Sequence, residues 1–258
     1  MAEITSNGTL VDIAGGTQPT PNKYEVYGSC SYHSTITGRY YLFVNAKNAQ
    51  YLQYELSSTS NGTLTTTLIR SFRGGNGGQV EGCVADDDNA WIFIGEEPYG
   101  LWRYSAEPPV GLQLGAEDDS ATGTLVDSVD GQLFADVEGV TLVYGPTPDK
   151  GLILVSCQGM SAYNVYKRAS PHEFVKHFTI STTKDGKIDR VTNTDGITAV
   201  GNALGPDFPR GLIVTHDDVN EAPDGSASDE AAFKLVSLAD LLDDDLLQEV
   251  DTAWDPRA

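Results

Sequence analysis

The chain has 258 residues, enough for one large all-β domain or two small ones with a buried core. Its 37 acidic side chains against 16 basic ones give a formal charge of −21. That excludes the basic footprint nucleic-acid phosphates require and suits a cation-binding or salt-adapted secreted protein, although most of the acids are expected to be solvated surface groups. No apolar run approaches the length needed to span a bilayer.

In chain order, the N-terminal MAEITSNGTL lacks the charged-then-apolar form of a secretion signal, so an exported chain without its leader is expected. Asn7-Gly8-Thr9 and Asn61-Gly62-Thr63 fit the glycosylation sequon. A first unit opens at Val26-Tyr27-Gly28 and runs into residues 39–44 (RYYLFV), 51–56 and 64–72. A second opens at Gln79-Val80-Glu81-Gly82 and continues through residues 91–95 (WIFIG) and 101–104. A third opens at Asp136-Val137-Glu138-Gly139, followed by residues 151–156 (GLILVS), 162–166 and 174–180. A fourth opens at Thr194-Asp195-Gly196 and enters residues 211–215 (GLIVT). These runs are β-branched or aromatic and bounded by Gly, Pro and Asp, which is strand chemistry. One short C-terminal helix is predicted from Ser237, a candidate cap, to Leu247.

Three acid-glycine pairs place their glycines at 82, 139 and 196, 57 residues apart both times, with Gly28 another 54 residues before. Four antiparallel strands repeating at such a period are the signature of β-propeller blades, and a glycine on the innermost strand suits a crowded axis. The predicted fold is therefore all-β, with four four-stranded blades.

A propeller axis gathers polar side chains from its innermost strands. One position per unit gives Tyr27, Glu81, Asp136 with Glu138, and Asp195; the ends of the second strands add Lys47, Glu96 with Glu97, Gln158, and Asp217 with Asn220. Acids and amides in this number form an oxygen-rich set of the kind calcium takes, and converging carboxylates repel one another unless a cation holds them. One acid-glycine pair is usually a turn; three at equal spacing, each leading into an apolar strand, are not. Cys30, Cys83 and Cys157 have no zinc-ligand spacing; Cys30 and Cys83 follow the repeated glycine in successive units and form either a disulfide or two buried thiols. The four histidines match no zinc-protease motif, and no nucleophile elbow, P-loop or dinucleotide fingerprint is present.

The segments EVYGSCSYHS, LFVNAKN, QYEL, QVEGCVADD, GEEPYGLWRYSAEP, DVEGVTLVY, SCQGMSAYNVYKR, TDGI and FPRGLIVTHDDVN occur in this order. Together they resemble the β-propeller phytases over nearly the whole chain. The resemblance implies a single domain over residues 1–258 carrying about four blades of a six-bladed propeller, several bound calcium ions, and phosphate release from myo-inositol hexakisphosphate. It assigns calcium and phosphate-site roles to Tyr27, Glu81, Asp136, Glu138, Gln158, Asp189 and Asp195, phosphate contact to Lys47, and positions near calcium to Asp217 and Asn220. Catalysis is expected of Tyr27, Glu81, Asp136, Glu138 and Asp195. The family's chains carry about two further blades upstream, with an Asp-Asp-Pro-Ala calcium motif and basic substrate-gripping residues. Weak activity is the expectation, with a phosphate ester as substrate, or else a non-catalytic extracellular propeller that self-associates through open blade edges or is completed by a partner chain.

Overall fold

The computed structural model describes residues 2–13, 18–222, 224–228 and 230–255. It opens with an antiparallel hairpin, β1 (Ala2–Ile4) and β2 (Leu10–Asp12). The first large sheet follows as β3 (Gly28–His33), β4 (Tyr40–Asn45), β5 (Gln50–Ser58) and β6 (Leu64–Arg73). The second begins with β7 (Val80–Asp86), β8 (Trp91–Glu96) and β9 (Gly100–Ser105). The short β10 (Ala116–Glu117) then pairs parallel with β6, and β11 (Thr124–Ser128) completes the second sheet on β9. The third is β12 (Val137–Tyr144), β13 (Gly151–Cys157), β14 (Ala162–Lys167) and β15 (Phe174–Phe178). The last is β16 (Ile197–Val200), β17 (Leu212–Asp217) and β20 (Ala232–Ser237), with a small side hairpin of β18 (Asn220–Glu221) and β19 (Ala227–Ser228).

The all-β expectation holds, and the second and third sheets are four-stranded and antiparallel; among the described residues the first sheet gains β10 as a fifth, parallel strand and the last has three strands. The first strands stand side by side, β3 against β7, β7 against β12, β12 against β16. Strand alternation puts one side of each sheet into a core shared with its neighbour. Tyr32, Phe43, Val80 and Ile94 fill the first core, Phe93, Leu101, Ile153 and Val155 the second, and Leu152, Leu154, Ile213 and Leu238 the third. A disulfide between Cys30 and Cys83 joins β3 to β7, and Cys157 is a buried free thiol.

The single predicted helix is corrected to two one-turn helices, α1 (Leu238–Leu241) and α2 (Asp244–Leu247). Ser237 caps the first through Ala239 N–H, as its position suggested, but Asp243 accepts from Leu246 N–H and starts a second. A capping aspartate with a turn-forming backbone offers the chain an alternative to continuing the helix, and it takes it. No helix among the described residues is long and apolar enough to cross a membrane.

Candidate metal and phosphate site

The repeated acid-glycine pairs sit where the innermost strands are irregular. Register slips between Val80 and Cys83 in β7, and between Val137 and Val140 in β12. Each bulge holds one acid-glycine pair, and a bulge re-aims a side chain out of its strand's alternation. Glu81 and Glu138 are thereby turned toward Asp195, which lies just ahead of β16. One carboxylate oxygen from each of the three comes within 4.8 Å of the others.

The glycines make the approach possible. A Cβ built on Gly28 would stand 1.9 Å from the Glu81 carbonyl oxygen, and one on Gly139 2.8 Å from that of Asp195. Two buried polar side chains pin the backbone at these crossings. Asn45 accepts from Gly28 N–H at 2.8 Å and donates to the Glu81 carbonyl at 2.9 Å. Ser156 accepts from Gly139 N–H at 2.8 Å and donates to the Asp195 carbonyl at 2.5 Å.

Glu138 is buried, and its Oε2 has no hydrogen-bond partner. Burial first, then the charges of Glu97, Glu81 and Asp195, push its carboxyl up to about 8. Burial and Asp195 raise Glu81 as well, partly offset by hydrogen bonds to Glu138 and Tyr27 and by Lys47. Three carboxylates from three sheets, one with an orphaned buried oxygen, form a hard-oxygen donor set that fits a divalent cation.

Tyr27 and Lys47 stand on the rim. Lys47 Nζ lies 4.2 Å from the centre of the Tyr27 ring, a cation–π contact. The Tyr27 hydroxyl accepts from Gln79 Nε2 at 3.1 Å, and the same amide donates to Glu97 Oε1 at 2.6 Å. Burial, then Glu81, Glu97 and Glu138, push the phenol up to about 12. Burial also raises Glu97, helped by the charges of Glu81 and Asp136. Asp136 is exposed at the mouth, and its carbonyl accepts from Gln158 N–H at 2.9 Å in a single 3₁₀ turn, Gln158–Met160.

Other predicted ligands lie elsewhere. Lys234 Nζ is 2.6 Å from Asp189 and 2.7 Å from Asp217, an internal ion-pair triad away from the carboxylate trio. Asp217 also accepts from Thr192 N–H at 2.7 Å, and Asp189 from Glu221 N–H at 2.6 Å. Asn220 donates to the Glu230 carbonyl. Adjacent Glu96 and Glu97 have opposite tasks: Glu96 is fully buried and accepts from Asn76 N–H at 3.0 Å, Gly78 N–H and Trp102 Nε1–H both at 2.7 Å, so it holds the glycine loop while Glu97 faces the site. Sequence alone does not mark Gln79, Asn45 and Ser156 as site residues. Gln79 stands in the repeated motif itself, whereas a strand Asn or Ser carries no local mark of its target.

Comparison with known proteins adds the lineage. A curated relative, the 3-phytase of Bacillus subtilis (strain 168), is 37% identical over 231 residues, covering 89% of this chain and 56% of its own length. The chain thus spans about half of that relative. A solved structure of a protein of unknown function from Bacteroides thetaiotaomicron aligns with 12% identity over 80% of this chain and 47% of its own, at a TM-score of 0.45. The phytase family profile matches residues 2–258. With that match across the whole length, the chain belongs to the phytase family.

Proposed function

We propose that this chain is a calcium-dependent phosphomonoester hydrolase acting on phytate or related phosphate esters, its sheets being four blades of a six-bladed propeller. The observation that carries this reading is the convergence of Glu81, Glu138 and Asp195 within 4.8 Å, beside the Lys47–Tyr27 pair. The trio would hold calcium, with Glu97 and Asp136 at its edge. Bound calcium supplies positive charge that neutralises phosphoryl oxygens and activates water.

The remaining work belongs to the chain itself. Lys47 presents an ammonium group at the rim, a point charge for a phosphate oxygen. Tyr27 keeps its proton throughout neutral pH, so its hydroxyl is a donor to an anion. Gln79 holds Tyr27 and Glu97 in fixed relation through two hydrogen bonds. The disulfide favours an oxidising, exported setting.

The test is inorganic phosphate release from phytate with calcium or with excess chelator. Calcium-dependent release, lost in Glu138→Gln and Asp195→Asn, supports the reading. Calcium binding by calorimetry without release at any pH assigns the chain to the non-catalytic alternative instead.

A further inference from the structure

Glu96 ends β8 fully buried, and its carboxylate is held by N–H groups. Asn76 N–H lies 3.0 Å from both oxygens, Gly78 N–H 2.7 Å from Oε1, and Trp102 Nε1–H 2.7 Å from Oε2. None of these partners is a lysine or arginine. Taking a carboxylate out of water without a counter-ion is costly, and several charge-assisted hydrogen bonds are needed to offset it.

The hairpin itself does not require this acid. Glu96 stands opposite Val80 as Cys157 stands opposite Val137 in the third sheet. The next residue repeats the same backbone bond in both: Glu97 N–H reaches the Gln79 carbonyl at 2.9 Å, and Gln158 N–H the Asp136 carbonyl at 2.9 Å. A buried thiol thus closes the third hairpin as a buried carboxylate closes the second. The difference lies in the approach to the strand. The chain enters β7 through Gly74-Gly75-Asn76-Gly77-Gly78, a segment with much backbone freedom to lose. It is wrapped onto the carboxylate. A Cβ on Gly75, whose φ is +56°, would stand 2.4 Å from Glu96 Oε2, and one on Gly78 2.8 Å from Oε1.

This segment delivers Gln79 to the site. The Gln79 amide donates to the Tyr27 oxygen at 3.1 Å and to Glu97 Oε1 at 2.6 Å, so both its protons are used. With its oxygen accepting from Gln79, Tyr27 gives its own proton to the Glu81 carboxylate. A continuous set of contacts therefore runs from Glu96 through the glycine segment to Gln79, Tyr27 and Glu81.

We propose that Glu96 is a positioning residue for the metal and phosphate site. By closing the glycine segment it sets where the Gln79 amide stands, and through that amide it sets the Tyr27 hydroxyl and the Glu97 carboxylate. Its bearing on catalysis rests on the phosphatase reading, whereas the placing of Tyr27 is measurable without it.

NMR of the chain labelled with ¹³C at the tyrosine Cζ tests it, the Tyr27 resonance being identified by its loss in Tyr27→Phe. Glu96→Gln keeps the shape of the side chain but replaces one of two accepting oxygens with a donor. It should shift the Tyr27 resonance and weaken calcium binding several-fold by calorimetry. Gly75→Ala leaves the acid in place and pushes the segment off it, so it should shift the same resonance, and it serves where Glu96→Gln does not fold. Gln79→Met should also shift it, and the double variant with Glu96→Gln should go no further, because the two act in series. Glu96→Ala leaves a space lined by N–H donors that acetate fits, and added acetate should return the Tyr27 resonance toward its wild-type position. A Glu96→Gln protein that melts lower yet keeps the wild-type Tyr27 resonance and calcium Kd would overturn the proposal. So would shifts that add in full in the double variant. A wild type that binds no calcium and releases no phosphate would instead remove the phosphatase reading, and the Tyr27 resonance would still decide for or against Glu96.

Discussion

The main-chain carbonyl of Glu138 lies directly over Gly82: a Cβ built on Gly82 would stand 2.0 Å from that oxygen. Two strands from different sheets cross there with only hydrogen between them, and the carboxylate cluster depends on that crossing. Gly82→Ala should force them apart and destabilise the protein by about 1–3 kcal/mol, the usual range for overpacking. Gly196→Ala, with nothing within 4 Å, should leave urea unfolding unchanged. Equal effects of the two substitutions would contradict the crossing.

The orphaned Oε2 of Glu138 gives calcium removal a sign. A ligand that binds only the folded state stabilises it by about 2.7 kcal/mol at a hundredfold excess over Kd. Chelator should therefore lower the melting temperature by several degrees. Glu138→Gln should shrink that calcium response while leaving the chelated protein at least as stable as wild type, because one of the converging charges has gone. Calorimetric melting of both proteins, with and without calcium, measures the four values.

Arg168, just past the end of β14, ties the second and third sheets together. It is fully buried; its Nε donates to Asp86 Oδ2 at 2.8 Å, its Nη2 reaches both Asp86 and Asp88, and its guanidinium lies 4.4 Å from the Tyr144 ring centre. Arg168→Leu strands the buried Asp86 carboxylate, and breaking such a pair costs about 3–5 kcal/mol. The double variant Arg168→Leu with Asp86→Asn should recover part of the loss in urea unfolding.

Asp87, next in the same turn, reads out pH. Burial outweighs the hydrogen bond it accepts from His33 N–H and pushes its carboxyl up to about 6. An acid whose folded value lies above its unfolded one holds its proton more tightly when folded. Its contribution is complete below about 4 and is lost as pH rises through 6. Asp87→Asn should therefore gain on the wild type as pH rises from 4 to 7, in melting temperatures taken at fixed ionic strength.

Residue pattern alone determines the inner strands of each sheet, their period and the acids at Glu81, Glu138 and Asp195, because alternation, β-branched runs and glycine placement act within a few residues, whereas the outer strands β11 and β20 carry no such mark. The crossing glycines and the rim residues Tyr27 and Lys47 are legible for the same reason. The helix split at Asp243 is not legible in sequence because a capping aspartate and an exposed helical one look alike until the turn forms. Which acids meet was a matter of tertiary structure. Asp217 at a strand end and Asp189 through the family resemblance were both expected as ligands beside Asp195, yet both are taken by Lys234, which lies 45 residues beyond Asp189. Carboxylates assemble by the stacking of sheets, and a lysine supplied by a later strand neutralises two of them. The trio at Glu81, Glu138 and Asp195 remains as the cluster that asks for a cation, because among the described residues no lysine or arginine forms an ion pair with it and Lys47 only stands on the rim.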